Sequence, residues 1–116
     1  MKTLVYLPKG YTDSERLHRT LGLWPISQII SQQPHPLLEA YAEPHSIPLF
    51  TKKPNFKLFG RHAPSLRDER ILSMAELVVV FQEVGDPGAQ YFIRNAGRLN
   101  LTCHAVHLGE QTGLLL

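Results

Sequence analysis

Leu77-Val78-Val79-Val80-Phe81-Gln82-Glu83-Val84-Gly85-Asp86-Pro87-Gly88-Ala89 is the stretch that decides the fold. Residues 77–81 are apolar without alternation and centre on three valines, the pattern of a strand covered on both faces, in the middle of a parallel sheet. A glycine-containing loop follows, in which Asp86 is placed to cap a helix and Pro87 fits its first position. Tyr91, Phe92 and Ile93 supply that helix with packing residues as far as Arg98, and residues 101–108 read as a closing strand. Strand, glycine loop and helix N-terminus in this order make the second half of a nucleotide-type α/β unit. Any ligand is expected at that rim, because open parallel sheets bind small molecules at the carboxyl ends of their strands.

Toward the N-terminus the same alternation repeats. Residues 3–7 form an apolar first strand ended by Pro8-Lys9-Gly10, and Thr12 with Glu15 makes a capping box for a helix over 13–21 that Gly22 stops. A second strand is expected over 26–31, a short helix over 37–42 after Pro34 and Pro36, and a third strand over 47–50. Residues 51–64 show no period and read as a long loop, of the kind that serves as a lid or binding segment. Ser65 with Asp68 is placed to cap the next helix, which carries Leu66, Ile71, Leu72 and Met74. Strands alternating with helices throughout predict right-handed crossovers and a doubly wound parallel α/β sheet of about five strands, with helices on both faces.

The 116 residues fit one domain with a core of its own, and 109–116 reads as a tail. Cys103, the single cysteine, has no internal partner and lies in an apolar strand, so a reducing, cytoplasmic setting is expected. No apolar run approaches the ~20 residues that span a bilayer, so no membrane partner is expected. A net charge of +2 does not by itself demand a polyanion. The six histidines show neither paired helical spacing nor a cysteine cluster, which argues against zinc or another metal. No cofactor is expected.

The segment Leu4-Val5-Tyr6-Leu7-Pro8-Lys9-Gly10-Tyr11-Thr12-Asp13 resembles the opening of the YspA/YpsA-type proteins of the SLOG superfamily, whose first strand leads into G-S-R-x-Y-T-D. Residues 63–72, Ala-Pro-Ser-Leu-Arg-Asp-Glu-Arg-Ile-Leu, resemble that family's A-G-x-x-R-N-x-x-M helix start, and residues 75–81 its A-D-x-x-x-A-F strand. Gly85-Asp86-Pro87-Gly88-Ala89 falls where the family has S-R-G-T. The resemblance spans about residues 3 to 108 and implies a Rossmann-like fold that binds a nucleotide or nucleotide derivative.

The departures are specific. Where the family places G-G-A-x-G-A-D, this chain reads Ser31-Gln32-Gln33-Pro34-His35-Pro36-Leu37: the glycines are gone and two prolines remove donors. Lys9 stands near the family's arginine as a point charge without a bidentate fork. Asp86 brings a carboxylate to the helix N-terminus where a phosphate would bind, which argues against a tightly held diphosphate. The P-G-G-x-G-T-x-x-E segment of the superfamily's phosphoribohydrolases has no counterpart, so catalysis of that type is not expected.

The candidate ligand-binding residues are therefore Lys9, Gln32, Gln33, Arg67, Asp68, Gly85 and Gly88. Arg67 offers a guanidinium fork at a helix start, Gln32 and Gln33 amides that donate and accept, and the glycines close backbone approach. Each has a plainer structural reading: ion pairing within Arg67-Asp68-Glu69-Arg70, a polar loop, and turn geometry. Two other functions stay open. Lys52, Lys53, Lys57 and Arg61 interleave with Phe56 and Phe59, a pattern suited to single-stranded nucleic acid. Alternatively the domain is a ligand-free module that forms a homo-oligomer, a dimer above all, through a helix face or through Leu114-Leu115-Leu116.

Overall fold

The computed structural model describes residues 1–109 and shows a five-stranded, all-parallel sheet. The strands are β1 (Lys2–Tyr6), β2 (Gln28–Ser31), β3 (Leu49–Thr51), β4 (Leu77–Gln82) and β5 (Thr102–His107). The helices are α1 (Ser14–Leu21), α2 (Pro36–Ala42), α3 (Phe56–Phe59), α4 (Ala63–Ser73) and α5 (Pro87–Arg98), with one turn of 3₁₀ helix at Gly60–His62 between α3 and α4. The spatial order β3-β2-β1-β4-β5 is that of a Rossmann-like doubly wound fold.

Alternation along the strands divides the core. Val5, Ile29, Leu77, Val79 and Phe81 meet Leu17, Leu21, Leu38 and Tyr41 of α1 and α2 on one face. Leu4, Ile30, Val78 and Val80 meet Ile71, Leu72, Phe92 and Ala96 of α4 and α5 on the other. Residues 77–80 are wholly buried because β4 runs between β1 and β5 with apolar neighbours above and below. The middle of the sheet, however, is β1, paired in register with both β2 and β4.

Local boundaries differ from expectation for identifiable reasons. Asp13, not Thr12, caps α1, its Oδ1 accepting from the Arg16 amide at 3.0 Å. The second strand begins at Gln28, since Ile26 is held in a turn by the hydrogen bond its N–H donates to the Trp24 carbonyl. The third strand is Leu49–Thr51, after a turn at Ser46, whose φ is 54°. His35 caps α2 by accepting the Leu37 amide on Nδ1 at 3.1 Å.

The largest difference lies in 51–64, which is not a structureless loop. Asn55 caps α3 through Leu58, and the chain runs on through the 3₁₀ turn into α4. Ser65 therefore lies inside α4 with no free N-terminus to cap, and Asp68 is used elsewhere. Of the expected tail, residues 110–116 lie outside the described residues.

Candidate ligand site at the carboxyl rim

In a 3-2-1-4-5 sheet the winding reverses between β1 and β4, and the crevice at that point is the usual place for a ligand. Here the protein fills it. Asp86 caps α5, its Oδ1 accepting the amides of Gly88 at 3.0 Å and Ala89 at 3.3 Å. The Tyr6 hydroxyl lies 2.9 Å from each Asp86 carboxylate oxygen and donates to that carboxylate. Burial, followed by the Asp86 carboxylate, pushes the Tyr6 phenol well above its ordinary range, so it remains a donor.

Gly88 serves this contact. A Cβ there would stand 2.6 Å from the Tyr6 hydroxyl oxygen, well inside contact distance. The missing side chain is thus replaced by the tip of a tyrosine. Gly85, with φ of 77°, makes the preceding turn and stands in open space. The amides that would greet a phosphate already hold a carboxylate, and an incoming anion would face its charge. Between β1 and β2 the remaining hollow, lined by Tyr6, Ser31, Gln32 and His35, has about 20 Å³, enough for a water and little else.

Arg67 is also engaged. Its Nε donates to Asp68 Oδ1 at 2.6 Å, and its Nη1 lies 3.2 Å from the Gln32 carbonyl and 3.3 Å from that of Lys52. Gln32 Nε2 donates to the same Asp68 oxygen at 2.9 Å. Both members of the ion pair are largely shielded, at 12% and 19% side-chain exposure. One guanidinium therefore ties α4 to the ends of β2 and β3. Gln32, Arg67 and Asp68, named from sequence, do come together. Gln33 is exposed and offers its carbonyl to Ser31, and Lys9 is exposed without a partner among the described residues.

Beside this tie a groove of about 420 Å³ opens between residues 52–59 and the outer face of α4. Lys52, Lys53, Arg67 and Arg70 supply cations, Phe59 and Leu66 supply apolar walls, and among the described residues Glu69 is the one acid lining it. The side chains of Lys52, Lys53 and Arg70 have no partner among the described residues. Lys9, Gln32, Gln33, Gly85 and Gly88 do not line this groove. Sequence reasoning found Arg67 and, separately, the lysines and Phe59, but missed Leu66 and Arg70. Their signal was the helical spacing of Ala63, Leu66, Arg67, Arg70 and Ser73, which share one face of α4.

Among the described residues no group of three or more His, Cys, Asp or Glu is placed to hold a metal ion. Cys103 is half-buried in β5, and burial raises its thiol pKa, so it has the character of a packing residue. No described helix is long and apolar enough to cross a membrane. In comparison with known proteins, no family model, no curated protein and no solved structure matches the chain.

Proposed function

We propose that this chain is a divergent SLOG-like domain that binds a small nucleotide-like anion, to sense or sequester it, in the groove between residues 52–59 and α4. One observation supports this above the others: four cations and two apolar walls converge on one cleft, and Arg67, the guanidinium the family resemblance pointed to, lines it. Cations suit a phosphate or carboxylate, and Phe59 offers a ring face to a base. The groove lies near the carboxyl end of β3, on the same rim as the filled switch point. On this reading the degenerate glycine loops mark a binding site displaced along the rim. Catalysis forms no part of the proposal, since the phosphoribohydrolase segment has no counterpart.

Thermal-shift screening against nucleoside monophosphates, cyclic nucleotides and ADP-ribose tests the reading, repeated on Arg70→Ala, Lys52→Ala and Lys9→Ala. Stabilisation that Arg70→Ala and Lys52→Ala each weaken about tenfold, and Lys9→Ala leaves intact, is the expected result. Dependence on Lys9 instead would return the ligand to the β1 loop. Stabilisation by none of them would favour the homo-oligomeric module.

A second reading has its own support, because Lys57, Arg61 and Phe56 continue the basic and aromatic character beyond the groove. A single-stranded nucleic acid would follow those cations, and its affinity would fall steeply between low and moderate salt.

A further inference from the structure

No residue of helix α3 is buried. Phe56 is 58% exposed, Leu58 69% and Phe59 44%, three large apolar side chains within a single turn. Successive residues of a helix are rotated by about 100°, so Phe56 and Phe59, three apart, share one side while Leu58 points away from Phe56, and the three spread over about 160° of the turn. A flat protein surface facing Phe56 and Phe59 would leave Leu58 in water. Immersion in an apolar medium covers them all.

The knuckle is held in shape without them. Asn55 Oδ1 accepts the Leu58 amide at 3.0 Å, and the Gly60 amide closes on the Phe56 carbonyl. Gly60 leaves the turn at φ of 57°, a conformation that favours glycine. Lys53, Lys57 and Arg61 flank these residues in sequence and are exposed, and no acidic residue occurs between Glu43 and Asp68. Self-pairing of this surface would set like charges together, so its partner must be anionic. Leu58, the most exposed of the three, has no ring on which a base could stack.

We propose that the α3 knuckle docks on anionic lipid bilayers, with Phe56 and Leu58 immersed at the headgroup boundary and Lys53, Lys57 and Arg61 against lipid phosphates and carboxylates. The lysine stems reach back to the interface from a shallowly seated turn. Such surface contact requires no spanning helix. Its apolar anchors lie outside the groove, since neither Phe56 nor Leu58 lines it; of its cations Lys53 is shared with the groove, so the Phe56/Leu58 pair is what separates this contact from the proposed ligand binding.

Cosedimentation of the full chain with vesicles of phosphatidylcholine alone, and with added phosphatidylserine, tests the proposal. Binding to the anionic vesicles only is expected, weakened about tenfold or more by Phe56→Ser/Leu58→Ser and likewise by Lys53→Ser/Lys57→Ser/Arg61→Ser. Circular dichroism should show both variants folded, because no substituted side chain is buried. Failure of the wild type to sediment with anionic vesicles would overturn the proposal, and retention of a single-stranded oligonucleotide in that case would assign the knuckle to nucleic acid. Undiminished vesicle binding by the Phe56/Leu58 variant would overturn it as well, showing charge attraction without immersion. Nucleotide thermal shifts that persist in this variant would keep the groove separate from either outcome.

Discussion

The Tyr6 hydroxyl donates to the Asp86 carboxylate from 2.9 Å, joining the end of β1 to the start of α5 across 80 residues of sequence. That contact closes the switch-point crevice and explains why Gly88 must lack a side chain. Gly88→Ala should cost about 1–3 kcal/mol by overpacking. Tyr6→Phe should cost about 1.5 kcal/mol by removing a donor to a charged acceptor. Because the phenylalanine lacks the atom nearest the new methyl, leaving ring carbons at 3.2 Å, the double variant should be more stable than the sum predicts, by about 1 kcal/mol. Urea unfolding of the four proteins checks this, and strict additivity would contradict it.

His35 couples stability to pH. Its Nδ1 accepts the Leu37 amide, which requires an unprotonated nitrogen, and burial lowers the ring's pKa against a smaller opposing effect of Glu39. A group with a depressed folded-state pKa contributes stability above its unfolded value, about 6.5 for histidine, and loses that contribution as pH falls from there toward the folded value. His35→Asn keeps a capping oxygen that does not titrate in this window. On acidification from about pH 7.5 to about pH 5 the wild type should lose more thermal stability than His35→Asn. Parallel Tm curves would remove His35 from the account.

Arg67 is a strut whether or not a ligand is bound. Arg67→Lys replaces a fork serving Asp68 and two carbonyls by one mobile ammonium, and should cost about 1–3 kcal/mol in urea unfolding without any ligand present. Lys9→Ala, at an exposed and unpartnered side chain, should change stability by no more than about 0.5 kcal/mol. Equal effects of the two would mean that the tie contributes nothing to folding.

The Tyr6 contact with Asp86 and those of Arg67 with Gln32 and Lys52 are ones that local sequence could not show. The burial of β4 was legible because an apolar run without alternation has few other places to go, and the Asp86-Pro87 cap because its partners lie two and three residues on. The parallel, doubly wound character followed from strands alternating with helices. Helix α3 was missed since a helix of four residues is too short to show a period. Arg70 was missed because its value comes from facing Lys52 and Lys53 across a groove, a relation fixed by how β3 and α4 lie together. Asp68 reads as a cap until the preceding helical turns leave nothing to cap. Tyr6 gave no warning of Asp86 at all.

Amide chemical-shift mapping with AMP and with ADP-ribose tests the displaced binding site most directly. The account predicts saturable shifts concentrated at Lys52, Lys53, Phe59, Leu66, Arg67 and Arg70, with the Tyr6, Asp86 and Gly88 amides unmoved. Shifts centred on residues 7–10 and 86–89 would place the ligand back at the switch point and contradict it, as would the absence of saturable shifts with either compound.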